Sequence, residues 1–282
     1  MVKSPHARET VPLAVPGEDA VRASGRSVGA NGKVYLVGAG PGAPDLLTLR
    51  AARLLEQADV VFYDALVHTD TVALATRAEK VAVGKRCGKH STAQQFINKR
   101  LVDAAKRFAV VVRLKGGDPM MFGRAQEEIA ALEEAGIACE VVPGITAALA
   151  AAAAIKTSLT QRGTARSITF ATPRVGVAEP GSAWVDGLAA ADAGAIYMGV
   201  GEAAQISQAL IASGKPRGLP VAIVESASLP EQRIHFTILA DLARFAASTV
   251  TGPALILVGP QFRARAAELA ERCTPRDRAA TG

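Results

Sequence analysis

Two kinds of stretch alternate along the chain. Short apolar runs occur at Lys33 to Val37, at 59 to 64 (DVVFYD), at Lys80 to Val83, at 109 to 115 (AVVVRLK) and at Cys139 to Val142. They are rich in β-branched residues and show little clean alternation, which predicts strands buried on both faces of a parallel sheet. Between them lie longer segments with apolar residues at helical spacing. These are LLTLRAARLLEQ, with Asp45 as its N-cap and Leu46, Leu49, Leu54 and Leu55 in phase, a helix near 69 to 76, and AQQFINKRLVDAAKR capped by Ser91 or Thr92. Phe122 to Glu134 follows, with Ile129 and Leu132 inward and Arg124, Glu127 and Glu128 in or near its first turn, and then an Ala-rich helix after Thr146. Strict alternation of strand and helix predicts a five-stranded, mostly parallel sheet covered by helices.

The polar, periodless stretch at 155 to 166 marks the link to a second half of less regular pattern. Its strand candidates are 167 to 171, 195 to 199, 220 to 225, 232 to 237 and 253 to 259, with helices at about 202 to 213 and 238 to 247. No repeat of fixed period is present. The expected division is an N-terminal extension over 1–31, α/β domains over 32–155 and 156–262, and a tail over 263–282. Residues 1–31 combine Pro, Gly and scattered charge without a continuous apolar run, which predicts disorder and excludes a secretory signal.

The central run ends abruptly in Lys115-Gly116-Gly117-Asp118-Pro119. Open α/β sheets bind ligands outside the carboxyl ends of their strands, and two glycines let a ligand approach the backbone there. The same residues also suit an ordinary strand-turn-helix connection. A second candidate is the loop Gly84-Lys85-Arg86-Cys87-Gly88-Lys89-His90, where two glycines stand among cations, as in an anion-binding loop. After the first strand, Gly38, Gly40 and Ala43 satisfy G-x-G-x-x-[GA], with Asp64 ending the next strand, as a dinucleotide site requires. However, Pro41 and Pro44 postpone the helix to about residue 45, so its N-terminus cannot reach a pyrophosphate held by the glycines.

Composition narrows the choices. Hydrophobic residues make up 49% and aromatic ones 4% of the 282, so the core is aliphatic. No apolar run reaches the roughly 18 residues that span a bilayer. Three cysteines, Cys87, Cys139 and Cys273, have no C-x-x-C spacing, which argues against a disulfide framework or thiolate metal site and for a reducing cytoplasm. Of the net charge of +6, one unit falls in residues 1–30 and two in 261–282, leaving a body at +3. So modest an excess suits an acidic small molecule, and with so few aromatics to stack bases it speaks weakly for nucleic acid.

The run LKGGDPMMFGR at 114 to 124, taken with VGAGPG at 37 to 42, VGKR at 83 to 86 and VPGIT at 142 to 146, resembles the uroporphyrinogen-III C-methyltransferases of the tetrapyrrole methylase family. Coverage runs from about Lys33 to Pro260. The resemblance implies two α/β domains, each with a mostly parallel or mixed five-stranded sheet, and an active site in the cleft between them. It further implies S-adenosylmethionine as methyl donor, a tetrapyrrole acceptor, no metal, no nucleic-acid or membrane partner, and a homodimer. Carried over residue by residue, the donor site falls on Pro41, Gly116, Gly117, Asp118, Met121, Thr146, Ala147, Met198 and Ala227. Asp64 matches the proton acceptor and Lys85 the proton donor, while Arg124, Glu127 and Arg162 match positions that face the tetrapyrrole. For Met121 and Met198 core filling is the rival reading, for Arg124 and Glu127 a helix-surface ion pair.

The chain departs from the family pattern in three places. It has Thr160-Gln161-Arg162 for T-H-R, Ala171-Thr172-Pro173 for T-G-H, and Glu225-Ser226-Ala227-Ser228 for E-N-G-T. The last preserves backbone contacts at 227 only if φ there is negative. Three other functions remain as alternatives: another corrin-pathway methyltransferase, a Rossmann-type NAD-dependent oxidoreductase, and a basic nucleic-acid binder suggested by a pI near 9.4.

Overall fold

A computed structural model describes residues 31–84, 90–174 and 183–273, with the backbone alone at 90–93 and 269–273. The expectations for residues 1–30 and for Lys85, Arg86, Cys87 and Lys89 lie outside the described residues.

Among the described residues, ten strands form two five-stranded sheets within one compact unit that begins at Asn31. The first sheet contains β1 (Lys33–Gly38), β2 (Val60–Tyr63), β3 (Glu79–Ala82), β4 (Val110–Lys115) and β5 (Cys139–Val142), in the order β3-β2-β4-β1-β5. All its pairings are parallel, and β4 is the middle strand. Helices cover both faces, which is why its runs read as continuously apolar. Val37, Val61, Val112 and Leu114 pack with α1 (Leu49–Gln57) and α2 (Thr69–Ala73). Val34, Leu36, Val60 and Val111 pack with α3 (His90–Ala105) and α4 (Ala125–Glu134).

The second sheet contains β6 (Ile168–Ala171), β7 (Ala193–Ile196), β8 (Pro220–Glu225), β9 (Arg233–Ile238) and β10 (Ala254–Val258), in the order β6-β7-β10-β8-β9. Only β6 and β7 run parallel, so this sheet is mixed. One face carries α6 (Trp184–Ala190), α7 (Ala203–Ala212) and α8 (Leu242–Thr249). The other face carries α5 (Ala147–Ala154), which leaves the first sheet at β5 and buries Ala148, Ala151 and Ala152 against Ala195, Ala222, Leu255 and Leu257. Its alanines let the helix lie close to the strands.

Several boundaries differ from those the pattern predicts. Pro44–Leu46 is a 3-10 turn, and α1 starts at Leu49 with Thr48 as N-cap, its hydroxyl accepting from Ala51 N at 3.1 Å. Asp45 therefore caps nothing there, Leu46 lies outside the helix and Leu49 is exposed. The third helix begins at His90, so Ser91 and Thr92 lie inside it rather than capping it. The fourth begins at Ala125, because Phe122 and Arg124 take left-handed φ values of 52° and 54° that end any helix before them. β7 stops at Ile196, since Met198 is also left-handed at φ 53°. Two helices were not foreseen: α6, and α9 (Arg263–Cys273), which falls in the expected tail. Among the described residues no helix is long and apolar enough to cross a membrane.

Candidate functional site

The carboxyl ends of β1, β4 and β5 meet at their glycines. Gly40 and Gly117 exchange backbone hydrogen bonds of 3.1 and 2.7 Å, each with φ near +70°, a conformation glycine adopts without strain. Gly38 has no room for a side chain, because a Cβ there would lie 2.6 Å from the Gly144 backbone. Asp118 ties the cluster together. Its Oδ1 accepts from Met120 N at 2.8 Å and its Oδ2 from Gly144 N at 2.9 Å, so one carboxylate spans the loops after β4 and β5. A Cβ on Gly117 would touch Thr146 and Ala147, and one on Gly116 would stand 3.1 Å from Leu66 Cβ.

Loops of the second sheet close onto this cluster. The Tyr197 hydroxyl lies 2.6 Å from Thr146 Oγ1 and accepts from Ala148 N at 3.2 Å, which joins the exit of β7 to the start of α5. Its ring packs 5.0 Å from that of Phe122, just beyond Met121. Burial pushes the Tyr197 phenol above its ordinary value, against the opposing pull of Thr146, so it stays a neutral hydrogen-bonding group. On the other side, Ser228 Oγ accepts from Ala43 N at 3.0 Å, and Leu229 fills the space beside Gly42. Pro41 and Ala227 thus lie in loops that touch. Ala227 is buried and is not among the residues of positive φ, although Ser226 and Ser228 are. Its backbone therefore meets the condition that replacing glycine imposes.

Of the residues singled out in the sequence, Gly116, Gly117, Asp118, Thr146 and Ala147 are brought into one contiguous patch, with Pro41, Ala227, Met121 and Met198 on the adjoining loops. Met198 is 44% exposed, which rules out core filling for it. Arg124 and Glu127 form a two-pronged ion pair at the start of α4, with N–O distances of 2.6 and 2.7 Å. Arg162 is exposed on the turn closed by the Gln161–Ala165 bridge, and among the described residues no hydrogen bond or ion pair links it to the patch. An open groove of about 530 Å³ between α5, the 156–160 link and β6 contains none of these residues. Among the described residues no group of three His, Cys, Asp or Glu is arranged to hold a metal.

Asp64, 30% exposed, stands at the mouth of a sealed ionic cluster. Alternation along β4 turns Val111, Arg113 and Lys115 toward α3 and α4. Arg113 Nη2 donates to Asp64 Oδ1 at 2.6 Å and Nε to Glu128 Oε1 at 3.0 Å. Lys115 Nζ donates to both Glu128 oxygens at 3.0 and 2.9 Å, and Gln94 Nε2 to Oε1 at 3.2 Å. Arg113, Lys115 and Glu128 are each at most 3% exposed. Burial, and next the Arg113 charge, push the Lys115 ammonium below its usual value, while Glu128 pulls it back. Two signals for this cluster were present in the sequence: charges at alternate positions of an otherwise apolar strand, and an acid one turn before Leu132 on the inward face of α4.

The chain matches the family Tetrapyrrole (Corrin/Porphyrin) Methylases over residues 33–243. It is 44% identical over 243 residues to the siroheme synthase of Psychrobacter sp. (strain PRwf-1), covering 86% of this chain and 49% of that one. The chain thus spans about half the length of the curated relatives it matches. Among solved structures, the uroporphyrin-III C-methyl transferase of Thermus thermophilus complexed with S-adenyl homocysteine superposes with a TM-score of 0.72 at 39% identity, over 83% of this chain and 100% of that one. A cobalt precorrin-4 methyltransferase gives 0.72 at 30% identity, over 80% and 94%. The chain belongs to the tetrapyrrole methylase family. The sequence resemblance pointed to the same family.

Proposed function

We propose that the chain is an S-adenosylmethionine-dependent uroporphyrinogen-III C-methyltransferase, which methylates rings A and B to give precorrin-2 and two molecules of S-adenosylhomocysteine. Likeness to the Thermus enzyme solved with S-adenyl homocysteine, over the whole of that protein, carries this reading. Precorrin-2 leads into sirohaem and cobalamin synthesis. The three cysteines without paired spacing suit a cytoplasmic enzyme, and the working unit is a homodimer of chains divided at residues 155 and 156.

The donor supplies an electrophilic sulfonium methyl when bound. Pro41, Gly116, Gly117, Asp118, Met121, Thr146, Ala147, Met198 and Ala227 hold it, mainly through backbone groups that small residues leave accessible. Their supply of bare backbone fits a small zwitterion with an aromatic base better than it fits a metal. Asp64 accepts the proton that the methylated tetrapyrrole sheds, with Lys85 as donor at the complementary step. Arg124, Glu127 and Arg162 face the acceptor, whose carboxylates call for guanidinium partners. Arg124 then exchanges its ion pair with Glu127 for one with the substrate.

Anaerobic incubation with uroporphyrinogen III and S-adenosylmethionine, followed by mass spectrometry of the product, tests this reading. A product heavier by two CH2 units is expected, since each methyl gained is matched by a proton lost. Transfer only to a later corrin intermediate would instead make the chain another corrin-pathway methyltransferase, and binding of NAD without S-adenosylhomocysteine would mean an oxidoreductase.

A further inference from the structure

Arg113 makes a different contact with each nitrogen of its guanidinium. Nε meets Glu128, Nη1 donates to the Leu114 carbonyl at 3.2 Å, and Nη2 meets Asp64. The planar group is held at three points, two of them inside the protein, so the direction of Nη2 is set before anything binds. Asp64 follows directly after β2, and its backbone N–H reaches Leu114 O at 3.4 Å. Backbone and side chain are therefore both anchored on β4.

The charges are arranged with equal economy. Lys115 and Glu128 neutralise each other inside the protein, which leaves the charge of Arg113 for Asp64. Of the four ionised groups only Asp64 is more than slightly exposed. Ion clusters sealed from water contribute little net stability compared with apolar residues of similar size. Val111 on the same face shows that an apolar side chain is accommodated there. The cluster's single opening toward solvent is a carboxylate oxygen.

We propose that Arg113 is a positioning residue for Asp64, and that Glu128, itself neutralised by Lys115, holds Arg113 in that role. The proposal rests on the reading of Asp64 as proton acceptor. Arg113 occupies Oδ1 and fixes the carboxylate plane, which leaves Oδ2 facing outward as the proton-accepting atom. Arg113 touches neither substrate nor donor, and its effect on turnover passes through Asp64.

A double-mutant cycle separates this role from a brace. Turnover is measured for the wild type, Asp64→Asn, Arg113→Met and the double variant, with S-adenosylhomocysteine titrated into each by calorimetry. Arg113→Met should slow turnover about 10- to 100-fold, as loss of a charge-assisted hydrogen bond does, while S-adenosylhomocysteine affinity stays within about twofold. In the Asp64→Asn background the same change should cost less than about threefold, because residues that act as a unit are non-additive. Arg113→Lys, which keeps the charge and loses the fork, should recover part of the turnover. If the two single effects multiply, Arg113 acts independently of Asp64 and the proposal is wrong. If Arg113→Met does not fold, Glu128→Gln takes its place in the cycle with the same expectation; if neither folds, the cluster is a folding element and the proposal falls. Full turnover in Asp64→Asn alone would overturn the reading of Asp64 itself, and with it this inference.

Discussion

The hydroxyl of Tyr197 and the Oγ1 of Thr146, 51 residues apart in sequence, stand 2.6 Å from one another across the two sheets. Thr146 flanks α5 yet makes no side-chain cap for it, because its hydroxyl is turned to Tyr197. Tyr197→Phe should remove this link and the contact to Ala148 N, weakening S-adenosylhomocysteine binding by about 2- to 10-fold, the range for loss of one or two neutral hydrogen bonds. Thr146→Val should do the same, and the two changes should not add. Calorimetric titration of the three variants checks this, and unchanged affinity in Tyr197→Phe would show that the link does not shape the donor pocket.

Asp64 and Arg124 should separate chemistry from binding. Asp64→Asn should slow turnover by roughly 10²-fold or more, the range for loss of a general base, with donor affinity nearly unchanged. Arg124→Ala should weaken tetrapyrrole binding by about 1.5–3 kcal/mol, again with donor affinity intact. Steady-state kinetics with both substrates varied distinguishes the two, and a purely structural loss in Arg124→Ala would reduce the residue to a partner of Glu127.

Asp118 is expected to act through the backbone. Its two oxygens hold Met120 N and Gly144 N, so Asp118→Asn, which keeps one acceptor and replaces the other with a donor aimed at an N–H, should cost about 1–3 kcal/mol of stability. It should also lower donor affinity, since Gly117 and Thr146 lose their spacing. Thermal melts with and without S-adenosylhomocysteine test both parts; a destabilised protein with wild-type affinity would confine Asp118 to folding.

Glu225 gives the fold a pH dependence. Burial pushes its carboxyl up, but the Arg233 guanidinium and the N–H groups of Gly252 and Thr251 outweigh that, so it lies below its ordinary 4.5. A carboxyl lowered in the folded state contributes stability in full above its unfolded value and loses it as pH falls through the folded one. Glu225→Gln should therefore be less stable than wild type by about 1.5–3 kcal/mol near neutral pH, with the gap narrowing as the pH falls below 4.5. Melting curves across that range decide it, and a constant gap would mean that packing rather than charge is responsible.

Much of this fold was legible in the sequence because its strands are short and wholly buried. Val110, Val111, Val112 and Leu114 mark β4 as clearly as any pattern does, and β5 fell on its predicted residues. The errors have local causes. Tyr197 and Met198 look like strand residues, but Met198 adopts a left-handed turn that apolar patterning cannot register. Thr48 took the cap expected of Asp45 because Pro44 starts a 3-10 turn instead. The cluster of Arg113, Glu128 and Asp64 pairs residues up to 49 apart, so composition revealed its charges but not its partners. At the site, the resemblance to the family named the loops. What it left unread was Tyr197, whose contacts exist only once the second sheet is in place.

The position of β10 has a consequence for the order in which the protein assembles. Among the described residues it is the last strand in chain order, yet it lies in the middle of its sheet, between β7 and β8, and it contributes to the floor on which α5 rests. A nascent chain can complete its first sheet while the ribosome is still making the second. Until Leu255 and Leu257 emerge, however, the alanines of α5 have no finished surface to cover. The helix that carries Thr146 and Ala147 at its start is then held only at one end. Truncation before residue 254 should thus yield a chain with an ordered first sheet and no working donor pocket, and the ability to bind should appear late and all at once, with the arrival of one strand.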